Sequence, residues 1–301
     1  MLDTSAALAD YIPIEPGEDA TDPTVYRRTL DGVRELTDDQ RFDAAEKLVG
    51  HFLERLPPHF HPRDKSWLRR LRKFLNGLEL WDRFDYRAAA ELVVFKPEEN
   101  PALADYAPAH KLAALGSRIA DWLELLAPGV KSPYLAYDFL AAALRQARRG
   151  EYNDGLIRLY RALEARAQAE ACHVFGVDST AGFPTDRIPP ETRFFSGYRL
   201  YRHGKAMDLG MEATYAILYA RNNRWGRRFK KFHQLPPEAG LDLQTLQRMR
   251  NRSPLAHGSQ VISEQTFFDG YRLIEEFLEV KRRASEELPP LVEIDFQLYE
   301  E

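Results

Sequence analysis

Apolar residues recur at three- and four-residue spacing through most of this chain, and no series of segments alternates at period two. That pattern dictates helices that each bury one stripe. Phe42, Ala45, Leu48, Val49, Phe52, Leu53 and Leu56 form one stripe, which Pro57-Pro58 ends. Trp67, Leu68, Leu71, Phe74, Leu75, Leu78 and Trp81 form the next, so both tryptophans are expected in the core. Further helices are expected over 85–95, 110–127, 132–149, 198–220, 241–251 and 264–284. Ser263 is placed to cap the last, and 151–176 reads as one long helix with Leu156, Leu159, Tyr160, Leu163, Ala167 and Ala171 on one side. Thr37 with Gln40 three residues later has the form of a capping box. VVF at 93–95 and LVEIDF at 291–296 are the best strand candidates, and both are short. The expected fold class is all-α, in two packed helical halves.

Punctuation along the chain sets the organisation. Residues 1–24 are rich in Pro, Gly and Asp and read as a linker or the remnant of an earlier domain. Residues 25–149 read as one helical domain stopped by Gly150, and 150–285 as a second. The stretch DSTAGFPTDRIPPETRFFS at 178–196 reads as a long loop, and 286–301 as an acidic tail.

Composition narrows the classes. Cys172 is the only cysteine, which excludes a disulfide scaffold or a Cys-based zinc finger. No apolar run approaches the ~20 residues of a membrane span, and the start of the chain lacks signal-peptide character, so a cytoplasmic protein is expected. The net charge of −4 is nearly neutral, but its distribution is not. Residues 221–232 (RNNRWGRRFKKF) carry Arg221, Arg224, Arg227, Arg228, Lys230 and Lys231 with no acid, interleaved with Trp225, Phe229 and Phe232. Such a run suits an RNA-tracking surface, with cations on phosphates and Trp225 and Phe229 stacking bases. It equally suits a solvated helix face whose aromatics pack inward. His59-Phe60-His61 lies among prolines without supporting acids and reads as a turn rather than a metal site. Nucleotide-binding glycine loops, zinc-protease and serine-hydrolase motifs are absent from the sequence.

The sharpest local feature is RNRSPLAHG, residues 250–258. Pro254 disfavours the helical region at Ser253, so a helix is expected to break there. Ser253 would then cap a new turn that places His257 beside unpaired backbone N–H groups, which favour a phosphate. Arg250 or Arg252 can meet the same phosphate with a bidentate fork. An arginine and a histidine titrating near neutrality suffice to cleave RNA, which carries its own nucleophile in the 2′-OH. Neither a metal nor a cofactor is called for. The plainer reading is that His257 caps a helix or lies on the surface.

Arg250-Asn251 and His257, with six residues between Arg250 and His257, fit the Arg-polar-x(4–6)-His pattern of HEPN ribonucleases. The string RNRSPLAHG resembles the RN-x-S-x-LAHG form of one CRISPR-associated branch, the ancillary ribonucleases of type III systems. LELWDRFDYRAA at 78–89 and YNDGLIRLYRALEARAQAEACHVFGV at 152–177 resemble the same branch. The resemblance implies that the C-terminal half is a HEPN-like helical bundle working as a homodimer. Two facing Arg-x-His motifs would cut single-stranded RNA without metal and leave a 2′,3′-cyclic phosphate, in CRISPR-linked antiviral defence. It assigns phosphate binding to Arg250, the polar partner to Asn251 and proton transfer or 2′-OH orientation to His257. Arg252 gives an alternative match, and Glu164 would either orient the motif or form a surface salt bridge.

Two departures qualify the resemblance. Pro254 stands where family members more often carry an aliphatic residue. No strand-rich CARF-like sensor pattern precedes residue 35, so binding of a cyclic oligoadenylate activator is not expected of this chain. The leading expectation is a metal-independent endoribonuclease. Its alternatives are a catalytically silent helical RNA-binding or interaction module, and a toxin-type HEPN nuclease controlled by a partner.

Overall fold

A computed structural model describes residues 19–126, 131–235, 241–254 and 259–282. These residues form eleven α-helices and one pair of two-residue strands. They fall into two compact units that divide between residues 128 and 129.

The first unit holds α1 (Pro23–Asp38), α2 (Phe42–Arg55), α3 (Pro62–Asp82), α4 (Tyr86–Val93) and α5 (Ala107–Leu125). Each packs on the next along the chain. Asp22 caps α1 by accepting from the Thr24 N–H, and Pro23 occupies the first turn, where its missing donor costs nothing. The apolar stripes close inward as the spacing demands: Phe52, Leu68, Leu71, Phe74 and Leu75 are all but inaccessible, and Trp67 and Trp81 are buried. Thr37 is not a cap. It lies inside α1, where its hydroxyl donates to the Val33 carbonyl. Gln40 adopts a left-handed conformation in the link to α2. The apolar face of α1 extends through Leu36, and burying it overrides the local capping signal.

The second unit holds α6 (Tyr134–Arg148), α7 (Tyr152–Phe175), α8 (Met211–Ala220), α9 (Arg224–His233), α10 (Leu243–Arg252) and α11 (Glu264–Leu278). Its division from the first unit falls upstream of the Gly150 boundary read from the sequence. Gly150, at φ +75°, makes the turn between α6 and α7, which then pack along each other. Gly150 therefore joins two members of one unit. Helix α7 also contacts α8, α10 and α11. It ends at Gly176, whose left-handed backbone lets its N–H reach the Cys172 carbonyl. Ser263 caps α11 through the Thr266 N–H, as expected.

The helix expected over 198–220 begins only at Met211. Residues 192–207 instead make a hairpin-like excursion. Phe194 and Tyr198 are paired through the Phe194 N–H, a tight turn passes Gly197, and β1 (Phe183–Pro184) pairs antiparallel with β2 (Ala206–Met207). Phe183, Ile188, Leu200, Leu209, Ala213 and Ile217 bury a shared cluster beneath it. Anchoring by these scattered apolar residues, with Gly197 and Gly204 at positive φ, displaces the helix. The 93–95 strand candidate is the end of α4 and the chain after it. The 291–296 candidate, residues 1–18 and the acidic tail lie outside the described residues.

Gly226 marks the closest approach between α8 and α9. A Cβ there would lie 2.2 Å from the Tyr219 backbone nitrogen. Gly226→Ala is expected to cost about 1–3 kcal/mol, read as a lower urea midpoint by circular dichroism. Gly150→Ala, where nothing lies within 4 Å, is expected to cost only about 1 kcal/mol through backbone strain.

Candidate functional site

Helix α10 carries the arginine-rich string to one end of the second unit. Asp242 caps its start, accepting from the Thr245 N–H at 2.7 Å, and Leu243 and Leu246 bury its inner face. The helix stops at Ser253, which is fully buried and extended at ψ 154°. The Ser253 hydroxyl donates to the Arg250 carbonyl at 2.8 Å, satisfying an acceptor that the helix end leaves open. The Gln260 N–H then donates to the Arg252 carbonyl at 2.9 Å. The Ile262 N–H donates to Asn153 Oδ1 in the first turn of α7 at 3.1 Å. The chain on both sides of residues 255–258 is thus tied to fixed elements. His257 itself lies outside the described residues.

Arg250 is held in a defined place. Its guanidinium carbon lies 5.0 Å from the centroid of the Tyr160 ring on α7, within cation–π range. Nη1 donates to Asn251 Oδ1 at 3.1 Å. Nε is buried and has no hydrogen-bond partner among the described residues. Asn251 and Arg252 are exposed beside it. Burial, reinforced by the Glu164 and Glu212 carboxylates and opposed by Arg250, pushes the Tyr160 phenol up to about 12. Tyr160 is therefore a neutral ring, an uncharged platform for the arginine. The arrangement presents one oriented guanidinium, a group suited to an oxyanion or phosphodiester.

A family model described as the Csm6 HEPN domain matches residues 129–281, just over half of the chain. The chain belongs to this CRISPR-associated HEPN family. No curated protein matches it. The matched range begins where the second compact unit begins, so the helices α6–α11 are the HEPN domain.

Within that domain the basic run at 221–232 splits into inward and outward parts. Trp225, Phe229 and Phe232 are buried. Trp225 sits 4.2 Å from the guanidinium of Arg166 and edge-on to Phe277. Phe229 stacks on Tyr215 at 4.1 Å. The aromatics are therefore core, and the base-stacking role expected for Trp225 and Phe229 has no exposed face to act through in the folded chain. Arg228 donates to the Phe277 and Glu276 carbonyls at 2.6 and 2.5 Å, capping the C-terminus of α11. Arg224 and Arg228 both pair with Glu279. Arg221, Arg227, Lys230 and Lys231 are exposed. Their described acceptors are uncharged: the Arg187 carbonyl for Arg221, Asn222 for Arg227 and the Tyr219 hydroxyl for Lys230. Glu164, one turn along α7 from Tyr160, is ion-paired with Arg161.

Three further groups in this unit gave no local signal in the sequence. Tyr160 reads there as one more member of an apolar stripe. Glu212, in the first turn of α8, accepts from the Phe195 N–H at 3.2 Å. His233, at the end of α9, is buried against the rings of Phe195 and Phe229, and its Nδ1 has no partner among the described residues. The HFH segment lies in the turn before α3, with His61 Nδ1 3.8 Å from Asp64. Among the described residues no cluster of three or more His, Cys, Asp and Glu is arranged to hold a metal ion, and no helix is long and apolar enough to cross a membrane.

Burial holds the His233 imidazole below its usual range, with Glu212 and Asp242 opposing. The unfolded chain takes up a proton at this residue near about pH 6.5, whereas the folded chain resists it. The unfolded state then binds more protons, so His233 lowers stability as pH falls below that value. His233→Phe is expected to flatten the loss of urea stability between about pH 7 and about pH 5. An unchanged pH dependence would show that the ring is not held neutral by burial.

Proposed function

We propose that this chain is an endoribonuclease that cleaves single-stranded RNA by attack of the RNA's own 2′-OH, without a metal, at a site shared between two copies. The observation that supports this reading is Arg250: a guanidinium set against the Tyr160 ring and hydrogen-bonded to Asn251, in the last turn of α10 of a Csm6-type HEPN domain. Arg250 binds the scissile phosphate and offsets charge growing on its non-bridging oxygens. Asn251, hydrogen-bonded to the guanidinium, fixes its plane. His257 takes the proton from the 2′-OH or returns one to the departing 5′-oxygen.

Electron flow needs no external nucleophile. The 2′-oxygen bonds to phosphorus, the bond to the 5′-oxygen breaks, and the products are a 2′,3′-cyclic phosphate and a 5′-hydroxyl. One histidine performs one proton transfer at a time, and a second copy related by a two-fold axis supplies the opposite one. Arg252 is the less favoured arginine, because no ring among the described residues holds its guanidinium as Tyr160 holds that of Arg250. Membership of the HEPN family supports a role for such an activity in CRISPR-linked defence.

Cleavage of single-stranded RNA in excess EDTA tests the reading. Wild type is expected to give cyclic-phosphate ends, and Arg250→Ala and His257→Ala are expected to lose about 10²–10⁴-fold in rate. Arg252→Ala is expected to retain most of it. Cleavage unaffected by His257→Ala would place the chemistry elsewhere. Retained RNA binding without cleavage in wild type would make the chain a binding module.

Tyr160 acts on the reaction only through Arg250. Tyr160→Phe keeps the ring and is expected to preserve the rate. Tyr160→Leu removes it and is expected to raise KM for RNA by about threefold to thirtyfold, in line with a partly desolvated cation–π contact. Its thermal stability, measured alongside, separates positioning from misfolding.

A further inference from the structure

Residues 192–207 place two tyrosines and four cations on the surface of the second unit. Tyr198 is 74% exposed and Tyr201 69% exposed, while Leu200 between them is buried in the cluster under the hairpin. The segment TRFFSGYRLYRHGKAM contains no acidic residue. Arg193, Arg199, Arg202 and Lys205 are exposed, and none pairs with a carboxylate among the described residues. Arg199 donates to the Pro190 carbonyl at 3.3 Å, and Arg202 donates to the Ile188 carbonyl. Those bonds fix the side chains in place and leave their charge uncompensated.

The hairpin is also fixed at its root. The Leu200 N–H donates to the Thr192 carbonyl at 3.1 Å, and the Thr185 hydroxyl to the Gly204 carbonyl at 2.9 Å. The Phe195 N–H donates to Glu212, the same carboxylate whose charge acts on the Tyr160 phenol under Arg250. Phe195 also lies 5.4 Å from His233. Glu212 thus holds the turn of the hairpin by a hydrogen bond while its charge acts on the Tyr160 phenol.

We propose that this hairpin is the binding strip for single-stranded RNA, with bases stacking on Tyr198 and Tyr201 and phosphates meeting Arg193, Arg199, Arg202 and Lys205. The inference rests on the ribonuclease reading for the identity of the strand it delivers to Arg250. Exposed aromatic rings among unpaired cations are the composition that holds single strands without regard to sequence. A second copy of this chain is the poorer occupant. A two-fold contact through the hairpin would set the same acid-free segment against itself and bring like charges together.

Binding and cleavage are separated by using a short fluorescein-labelled 2′-O-methyl oligouridine, which has no 2′-OH to attack, with the full-length chain. The paired substitution Tyr198→Ala/Tyr201→Ala is expected to weaken binding about tenfold or more. Tyr198→Phe/Tyr201→Phe, which keeps both rings, is expected to stay within about threefold of wild type. Arg193→Gln/Lys205→Gln is expected to lower the slope of log affinity against log salt by about 1.4, at about 0.7 for each phosphate that no longer meets a cation. The proposal is overturned if the intact chain does not bind the oligouridine, or if the alanine pair binds as wild type does. In the latter case a dimer-to-monomer shift in sedimentation would assign the tyrosines to a contact between copies. Tight, tyrosine-dependent binding with no cleavage of unmodified RNA overturns the nuclease reading alone. Cleavage with unchanged KM in the alanine pair overturns the binding strip alone.

Discussion

Burial of helix α7 on several sides is the constraint that shapes the second unit. Leu156, Leu159, Ala162 and Leu163 are all but inaccessible, and α6, α8, α10 and α11 each lie against this helix. Small residues permit the crowding. Ala162, Ala165 and Ala169 are buried along it, and Gly155 approaches Phe267 so closely that a Cβ would fall 2.6 Å from the ring. Helix α7 also supplies the polar groups that matter elsewhere. Tyr160 carries Arg250, Asn153 holds the chain at Ile262, and Arg166 lies over Trp225. Loss of packing at α7 would therefore disperse the candidate site along with the core.

The helical architecture was legible because amphipathic periodicity is a local signal. The stripes from Phe42 to Trp81 bury the residues their spacing named, apart from a half-buried Leu53. Signals that depend on distant partners were not legible. Residues 198–210 have apolar positions compatible with a helix, but Leu200 and Leu209 are claimed by Phe183 and Ile188, which no local window contains. Gly150 looked like a domain boundary and is a hairpin turn. A glycine turn can join or divide domains, and the packing of the next helix decides which. Thr37 had a capping pattern that burial of the α1 face outweighed.

The same division runs through the site. The string from Arg250 to His257 is readable as a motif because its members are neighbours in sequence. Tyr160 reaches Arg250 from another helix, and it, Glu212 and His233 carry no pattern of their own. The basic run at 221–232 shows the cost of reading charge without geometry. Arg224 and Arg228 are bound to the end of α11 and Trp225 is interior, so only part of its apparent capacity for phosphate faces outward. The hairpin at 192–207, read as loop and helix, displays Tyr201 next to the buried Leu200 and Tyr198 where the chain leaves the Gly197 turn.

The raised phenol of Tyr160 has a kinetic consequence. A tyrosinate beneath the guanidinium would convert a stacked contact into an ion pair and draw Arg250 away from an incoming phosphate. Because ionisation is deferred to about 12, the arginine keeps one resting partner across the range in which RNA itself survives. On the ribonuclease reading, a bend in the rate-versus-pH curve near neutrality would not belong to this phenol.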